Sequence, residues 1–379
     1  MDFSLTPEQE LFRKSAREFA LQELEPMAPI LDKEHRPAIE NLKKLGELGY
    51  LGMSISEEYG GIGADALSYA IVMEELSRSC ASTSTSVSVQ NSLVNDVFNK
   101  FANDEQKQTY LPKLATGEFI GAFALSEPES GSDASAMKTT ATLDGDEYII
   151  KGSKMWITNA GFADVFIVTA TTDADAKHKG VSAFIVDKGI SGFTVGKEED
   201  KLGIRGTSTC EIHFDNCRIP ASNRLSDEGM GFKIAMVTLN GGRIGIAAQA
   251  LGIAQAAMDE AVKYSQEREA FGQTISNFQS IQFKLADMKS QIEGARLLVY
   301  KSAWKKDVGQ DYSTDSAIAK LVAGELASQV ADQALQIHGG YGYIRDYKVE
   351  RLYRDARITR IYEGTSEIQK LVISRSMLD

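Results

Sequence analysis

A chain of 379 residues that is 43% hydrophobic and 25% charged has the composition of a soluble globular protein, long enough for two or three packed domains, which sets disorder aside. Its 41 Lys and Arg against 53 Asp and Glu give a formal net charge of −12, a field that repels nucleic acid and anionic membrane. No apolar run is long enough to span a bilayer, and the N-terminus has no basic stretch followed by a hydrophobic one, which predicts a cytoplasmic protein without membrane insertion.

In chain order, Leu5-Thr6-Pro7-Glu8-Gln9 predicts a helix start, with Thr6 as N-cap and Pro7 at the first helical position. Helical spacing continues to about residue 120 through Leu42, Leu45, Leu48 and Ile71, Met73, Leu76, with breaks expected at Gly46, Gly49 and Gly60-Gly61. From about Phe119 to 230 short β-rich runs such as Asp164 to Val168 and Val181 to Val186 alternate with turn residues, predicting a barrel or compact sandwich. After Gly229-Met230-Gly231 long helices are expected over roughly 243–268, 276–308 and 313–337. The chain thus divides into a helical domain (1–120), a β domain (121–230) and a helical bundle domain (231–379), a segregated α+β arrangement that disfavours a doubly wound nucleotide fold.

Several motifs have competing readings. Gly61-Ile62-Gly63-Ala64-Asp65-Ala66 matches a dinucleotide fingerprint in letters but follows Ser56-Glu57-Glu58-Tyr59 instead of a strand, so it reads as a loop between helices. Ser135-Ala136-Met137-Lys138 matches the SxxK of penicillin-recognising hydrolases without their other motifs, and no phosphate P-loop occurs. Cys80, Cys210 and Cys217 lack zinc-site spacing and read as structural thiols; His35, His178, His213 and His338 are widely separated and form no HExxH. More informative is the Gly-Ser turn in Ala124 to Ala134, whose backbone donors suit a phosphate. Downstream, Trp156 and Thr158 project from one strand face, where an indole can cover an aromatic ring while a hydroxyl bonds its polar edge; a buried core Trp is the alternative. Arg268 and Phe271 sit at an expected helix end, suited to a phosphate or to a solvent salt bridge. Gln336-Ile337-His338-Gly339-Gly340 closes another helix, and Tyr362-Glu363-Gly364-Thr365-Ser366-Glu367 offers a carboxylate beside a glycine.

Taken together and in order, these segments resemble the acyl-CoA dehydrogenase family over essentially the whole chain, and within it most of all the short-chain, butyryl-CoA type. The resemblance implies a β domain between an N-terminal helical domain and a C-terminal four-helix bundle. It implies FAD held by Phe123, Leu125, Ser126, Gly131, Ser132, Trp156, Ile157 and Thr158, with Thr365, Ser366 and Glu367 also in contact. A neighbouring subunit of a homotetramer, a dimer of dimers, would complete the FAD site through Arg268, Phe271, Gln279, Gln336, Ile337, Gly339 and Gly340. Acyl-CoA contacts carry over to Ser132, Asn240, Arg243, Tyr362 and Gly364, with Glu363 as the base that takes the α proton. Some members carry their base just before the arginine matching Arg243, where this chain has Gly242. Two departures stand out: Asn240 where Asp or Glu is frequent, and His338 where Leu or Phe is frequent. Electrons would pass to electron-transferring flavoprotein. An oxidase using oxygen, a dehydrogenase of branched, medium-chain or cyclic acyl-CoA, and a non-catalytic binding member of the fold are the alternatives.

Overall fold

The Thr6 hydroxyl accepts from Gln9 N at 3.2 Å and Gln9 Oε1 accepts from Thr6 N at 3.0 Å, so the first helix opens on the predicted capping box. The structure is a computed structural model, and it describes residues 4–378. Its first part is helical: α1 Pro7–Phe19, α2 Ala28–Glu34, α3 Ile39–Glu47, α4 Ala66–Ser79, α5 Ala81–Ser88, α6 Asp96–Phe101 and α7 Asp104–Thr116, with a π-helical stretch Val89–Asn95 ahead of α6. Gly46 lies inside α3 and does not break it. A Cβ at Gly46 would sit 2.2 Å from Thr116 O, so the glycine lets the end of α7 approach the helix. The nominal fingerprint Gly61 to Ala66 is a loop leading into α4, where Asp65 is N-cap, and a Cβ at Gly61 would lie 2.1 Å from Ile55 O.

The middle part holds β1 Gly121–Ala124, β2 Thr140–Asp144, β3 Glu147–Thr158, β4 Val165–Thr171, β5 Val181–Asp187, β6 Phe193–Glu198, β7 Thr209–Pro220 and β8 Arg224–Leu225. Strand order is β6-β7-β3-β2-β4-β5-β8, with β1 parallel to β4, and β2 meets β4 only at Thr140↔Thr171. That single contact lets the two halves face each other like a sandwich. Rings from opposite halves touch, with Tyr148 and Phe184 at 4.8 Å and Phe166 and Phe193 at 4.8 Å between centroids.

The last part comprises α8 Gly231–Glu267, a hairpin of β9 Glu269–Ala270 and β10 Gln273–Thr274, then α9 Gln279–Asp307, α10 Ser313–His338, α11 Lys348–Ala356 and α12 Ser366–Leu378. Helix α8 starts at Gly231, well before the expected 243, and runs straight through Asn240-Gly241-Gly242. Every residue from Gly241 to Met258 is buried, so this central stretch of α8 has no solvent face, and packing on all sides overrides the low helix propensity of its glycines. Charged pairs bind the parts together. Arg354 grips Asp32 through two nitrogens at 2.7 and 2.8 Å, and Arg296 donates to Glu74 at 2.9 and 3.1 Å. Among the described residues no helix is long and apolar enough to cross a membrane.

Candidate active site

Between α11 and α12 the chain makes two consecutive left-handed residues, Glu363 at φ 52° and Gly364 at φ 90°. A non-glycine residue there is strained, typically by ~1–3 kcal/mol, and persists only if its surroundings fix it. The surroundings do: Lys320 Nζ on α10 donates to Gly364 O at 2.6 Å, and Gln369 Nε2 on α12 donates to the same oxygen at 2.8 Å. Ser366 Oγ adds a bond to Glu325 Oε1 at 2.7 Å. Preceding the turn, the Tyr362 hydroxyl donates to Gln249 Oε1, while Gln249 Nε2 donates to Thr85 Oγ1 at 2.7 Å.

This turn drives the Glu363 side chain against α8. A Cβ at Gly242 would lie 2.0 Å from Glu363 Oε2 and 3.0 Å from Leu93 Cδ2, so the carboxylate occupies the space a side chain at 242 would take. The residue as a whole is half-buried, but Oε2 is enclosed and has no hydrogen-bond partner. Among the described residues its own N–H donates to no group either. Burial pushes the carboxyl up to about 7, opposed first by the charge of Lys320 and then by that of Arg243. Arg243 is itself buried, donates from Nη1 to Asn240 Oδ1 at 2.8 Å, and leaves Nε unpartnered. A carboxylate that titrates near neutrality with one oxygen free is equipped to take a proton from carbon.

Phe123 and Leu125, at the end of β1, belong to the same apolar cluster as Leu93, which abuts Gly242 beside the Glu363 carboxylate. Past them, Ser126 is half-buried and its carbonyl accepts from Met155 N at 2.8 Å, while Gly131 and Ser132 are exposed. Trp156 lies in a bulge of β3 between Lys154 and Ile157, with φ 64°. That distortion turns its indole outward, 58% exposed, while Ile157 stays in the sheet core and Thr158 is half-buried.

The sequence reading missed what supports this loop. Lys154 is fully buried on β3, donating to Leu125 O at 3.1 Å and pairing with Glu127 Oε1 at 2.8 Å. Glu127 in turn accepts from Thr139 N at 3.1 Å and from Lys138 N at 2.5 Å. The signal was available: a lysine on the inward register of an apolar strand, and an acid inside an otherwise small and polar loop.

A second group lies apart from the first. Arg268, Ile337, Gly339 and Gly340 line a pocket of about 530 Å³ that contains none of 123–132 or 156–158. Arg268 is the C-cap of α8 and lies over the Tyr341 ring at 5.7 Å. His338 lines the same pocket, where its ring stacks on Tyr264 at 4.2 Å between centroids and Nδ1 bonds Ala334 O at 2.8 Å. Phe271 is 95% exposed on the hairpin, and Gln336 and Gln279 are exposed. Elsewhere, Ser135 bonds Asp133 Oδ1 at 2.7 Å and Lys138 pairs with Glu129 at 3.9 Å, both on the surface, which leaves the SxxK reading without a site. The three cysteines are free and buried.

Three models of one family match the chain: the acyl-CoA dehydrogenase N-terminal domain over residues 6–118, the middle domain over 122–217 and the C-terminal domain over 229–378. The short-chain specific acyl-CoA dehydrogenase of Clostridium acetobutylicum is 52% identical over 374 residues, covering 99% of this chain and 99% of the relative. Butyryl-CoA dehydrogenase from Megasphaera elsdenii superposes with a TM-score of 0.98 at 47% identity, over 100% of both chains. A chain in the structure described as "Electron transferring flavoprotein of Acidaminococcus fermentans: Towards a mechanism of flavin-based electron bifurcation" superposes with a TM-score of 0.99 at 49% identity, over 100% of both.

Proposed function

This chain belongs to the acyl-CoA dehydrogenase family of FAD-dependent oxidoreductases, and from that premise we propose that it desaturates the α,β carbons of a short-chain acyl-CoA with Glu363 as the base. The observation that carries the reading is the enclosed, unpartnered Oε2 of Glu363 lying against Gly242. An α C–H beside a thioester is weakly acidic, so its removal needs a carboxylate not already engaged elsewhere and a donor for the carbonyl oxygen as enolate charge develops. Glu363 Oε2 answers the first need, and the free N–H of Glu363 the second. Arg243 and Asn240, together with Ser132, Tyr362 and Gly364, complete the residues assigned to the acyl-CoA, and Arg243 supplies positive charge to a polyanionic ligand.

The residues present fit FAD. Trp156 exposes its indole from a sheet that buries Tyr148, Phe166 and Phe184, and a Cβ on Gly131 would meet nothing within 4 Å, so the backbone of that loop is approachable. Phe123, Leu125, Ser126, Gly131, Ser132, Trp156, Ile157, Thr158, Thr365, Ser366 and Glu367 would hold it from one subunit; Arg268, Phe271, Gln279, Gln336, Ile337, Gly339 and Gly340 would hold it from a neighbour. When bound, FAD supplies the two-electron acceptor that matches loss of the β hydrogen. The neighbour from work on an electron transferring flavoprotein supports such a protein as the onward acceptor.

Two observations favour a short acyl group: the 52% identity to a short-chain specific enzyme, and Tyr69, whose hydroxyl would lie 2.4 Å from a Cβ at Gly245, one turn of α8 beyond Gly242. The Tyr69 hydroxyl donates to Ser88 Oγ at 3.3 Å, which closes that side of the helix with a polar wall. Anaerobic bleaching of the flavin band by a panel of acyl-CoAs is the test. Butyryl-CoA should bleach fastest and admitted air should restore the colour slowly. Preference for long chains would overturn the substrate assignment, and rapid recovery in air would make the protein an oxidase.

A further inference from the structure

Lys320 is one of the largest fully buried side chains among the described residues, 1% exposed in the N-terminal third of α10. Its ammonium has a single hydrogen-bond acceptor, Gly364 O at 2.6 Å, and no carboxylate oxygen within 4.0 Å among the described residues. The other fully buried lysine, Lys154, is paired directly with Glu127 at 2.8 Å. An ammonium taken out of water without an ion pair is costly, and an aliphatic side chain of the same length would pack there more favourably. Its presence calls for another reason.

The charged groups facing it supply one. Glu363 is foremost, followed by Arg243 on α8, Glu325 on α10 and Glu367 on α12. Glu325 is committed to Arg360 at 2.9 Å and to Ser366 at 2.7 Å, and Glu367 is exposed. The remaining acid, Glu363, has its Oε2 unpartnered and is also faced by Arg243, Tyr69 and Tyr362. A direct bond from Lys320 to that oxygen would satisfy it and blunt its basicity. Held on the neighbouring carbonyl instead, the charge acts through space while the oxygen stays free.

We propose that Lys320 is a positioning residue for the base: it clamps the Gly364 carbonyl to fix the left-handed Glu363–Gly364 turn, and its charge keeps the Glu363 carboxylate ionised without touching it. The inference rests on Glu363 being the base. Its direction agrees with the titration of the pair, in which burial pushes Glu363 up to about 7 and Lys320 down to about 8, with Lys320 the strongest influence opposing the rise at Glu363.

The test uses FAD-loaded protein and the pH dependence of flavin bleaching by butyryl-CoA without oxygen. Lys320→Met removes clamp and charge; Lys320→Gln removes the charge but stays polar, and being one bond shorter it also loosens the hold on Gly364 O. Gln369 still holds that carbonyl in both. The rising limb of the profile should move up by ~1–3 pH units in both variants, and Lys320→Arg should restore it. Neutral variants that keep the wild-type midpoint, or that cannot fold and load FAD while Lys320→Arg can be loaded but has a shifted midpoint, overturn the proposal and leave Lys320 a packing residue; so does a failure of all three to fold. A Glu363→Gln control separates the two claims, because wild-type bleaching by that protein sinks the base assignment whatever Lys320 does.

Discussion

In an ordinary core the unpartnered Oε2 of Glu363 would be a defect, worth ~1–3 kcal/mol in lost hydrogen bonding. Its cost is also written into the pH dependence of folding. Burial raises the carboxyl from 4.5 to about 7 in the native state, so between those values the native protein holds more protons than the unfolded chain. Stability from this group therefore falls as pH rises through that window, and the deficit persists above it. Glu363→Gln should raise stability by ~1–3 kcal/mol at pH 8 and by clearly less at pH 5.5, measured by denaturant unfolding. An equal gain at both pH values would show that the carboxylate is not enclosed as described. Glu363 entered as the candidate base through the family resemblance, the run Tyr362-Glu363-Gly364 by itself offering only a carboxylate beside a glycine, and nothing in the sequence pointed to Lys320. Lys320 stands in Ala-Ile-Ala-Lys-Leu-Val, where a helical lysine reads as a solvated residue, and only the packing of α10 against the Glu363 turn puts it inside.

At the level of elements, local pattern located most helices and strands, and failed where distant contacts decide. The helix expected from about 243 starts at Gly231: Asn240-Gly241-Gly242 has low helix propensity of its own, but the space beside those glycines is filled by Glu363, Leu93, Asp96 and Lys306 from other parts of the chain. Gly46 was read as a break for the same reason, since its meaning lies in Thr116 far along the sequence. Trp156 and Thr158 were recognised as a pair, yet the bulge that turns the indole outward depends on pairing between β3 and β7. Beneath that region the Lys154–Glu127 pair braces the loop assigned to FAD. Lys154→Met strands the Glu127 carboxylate in the core and should cost ~3–5 kcal/mol, with earlier release of FAD on heating. Adding Glu127→Gln should recover part of the loss. A single mutant as stable as wild type would mean the pair contributes nothing to the loop.

For the whole molecule, the order of helices, strands and helices was readable from texture alone, while the sheet order and the separation of the two residue sets required the fold. Arg268, Ile337, Gly339 and Gly340 share a pocket on the bundle, away from the loop that follows β1, and the nearby Phe271 and Tyr343 are 95% and 85% exposed. Large apolar groups left open beside a cationic pocket suit a subunit contact in which the pocket serves a neighbour's FAD. Arg268→Ala should then weaken FAD retention and self-association together, read by flavin content and sedimentation velocity; normal FAD retention by a monomer would contradict this. Rapid mixing of butyryl-CoA with the FAD-loaded protein in the absence of oxygen shows whether Glu363 is the base. Glu363→Gln should bind FAD and butyryl-CoA normally but bleach the flavin ~10²–10⁴-fold more slowly, the usual worth of a general base. A Glu363→Gln protein that bleaches as fast as wild type would mean that another group takes the α proton.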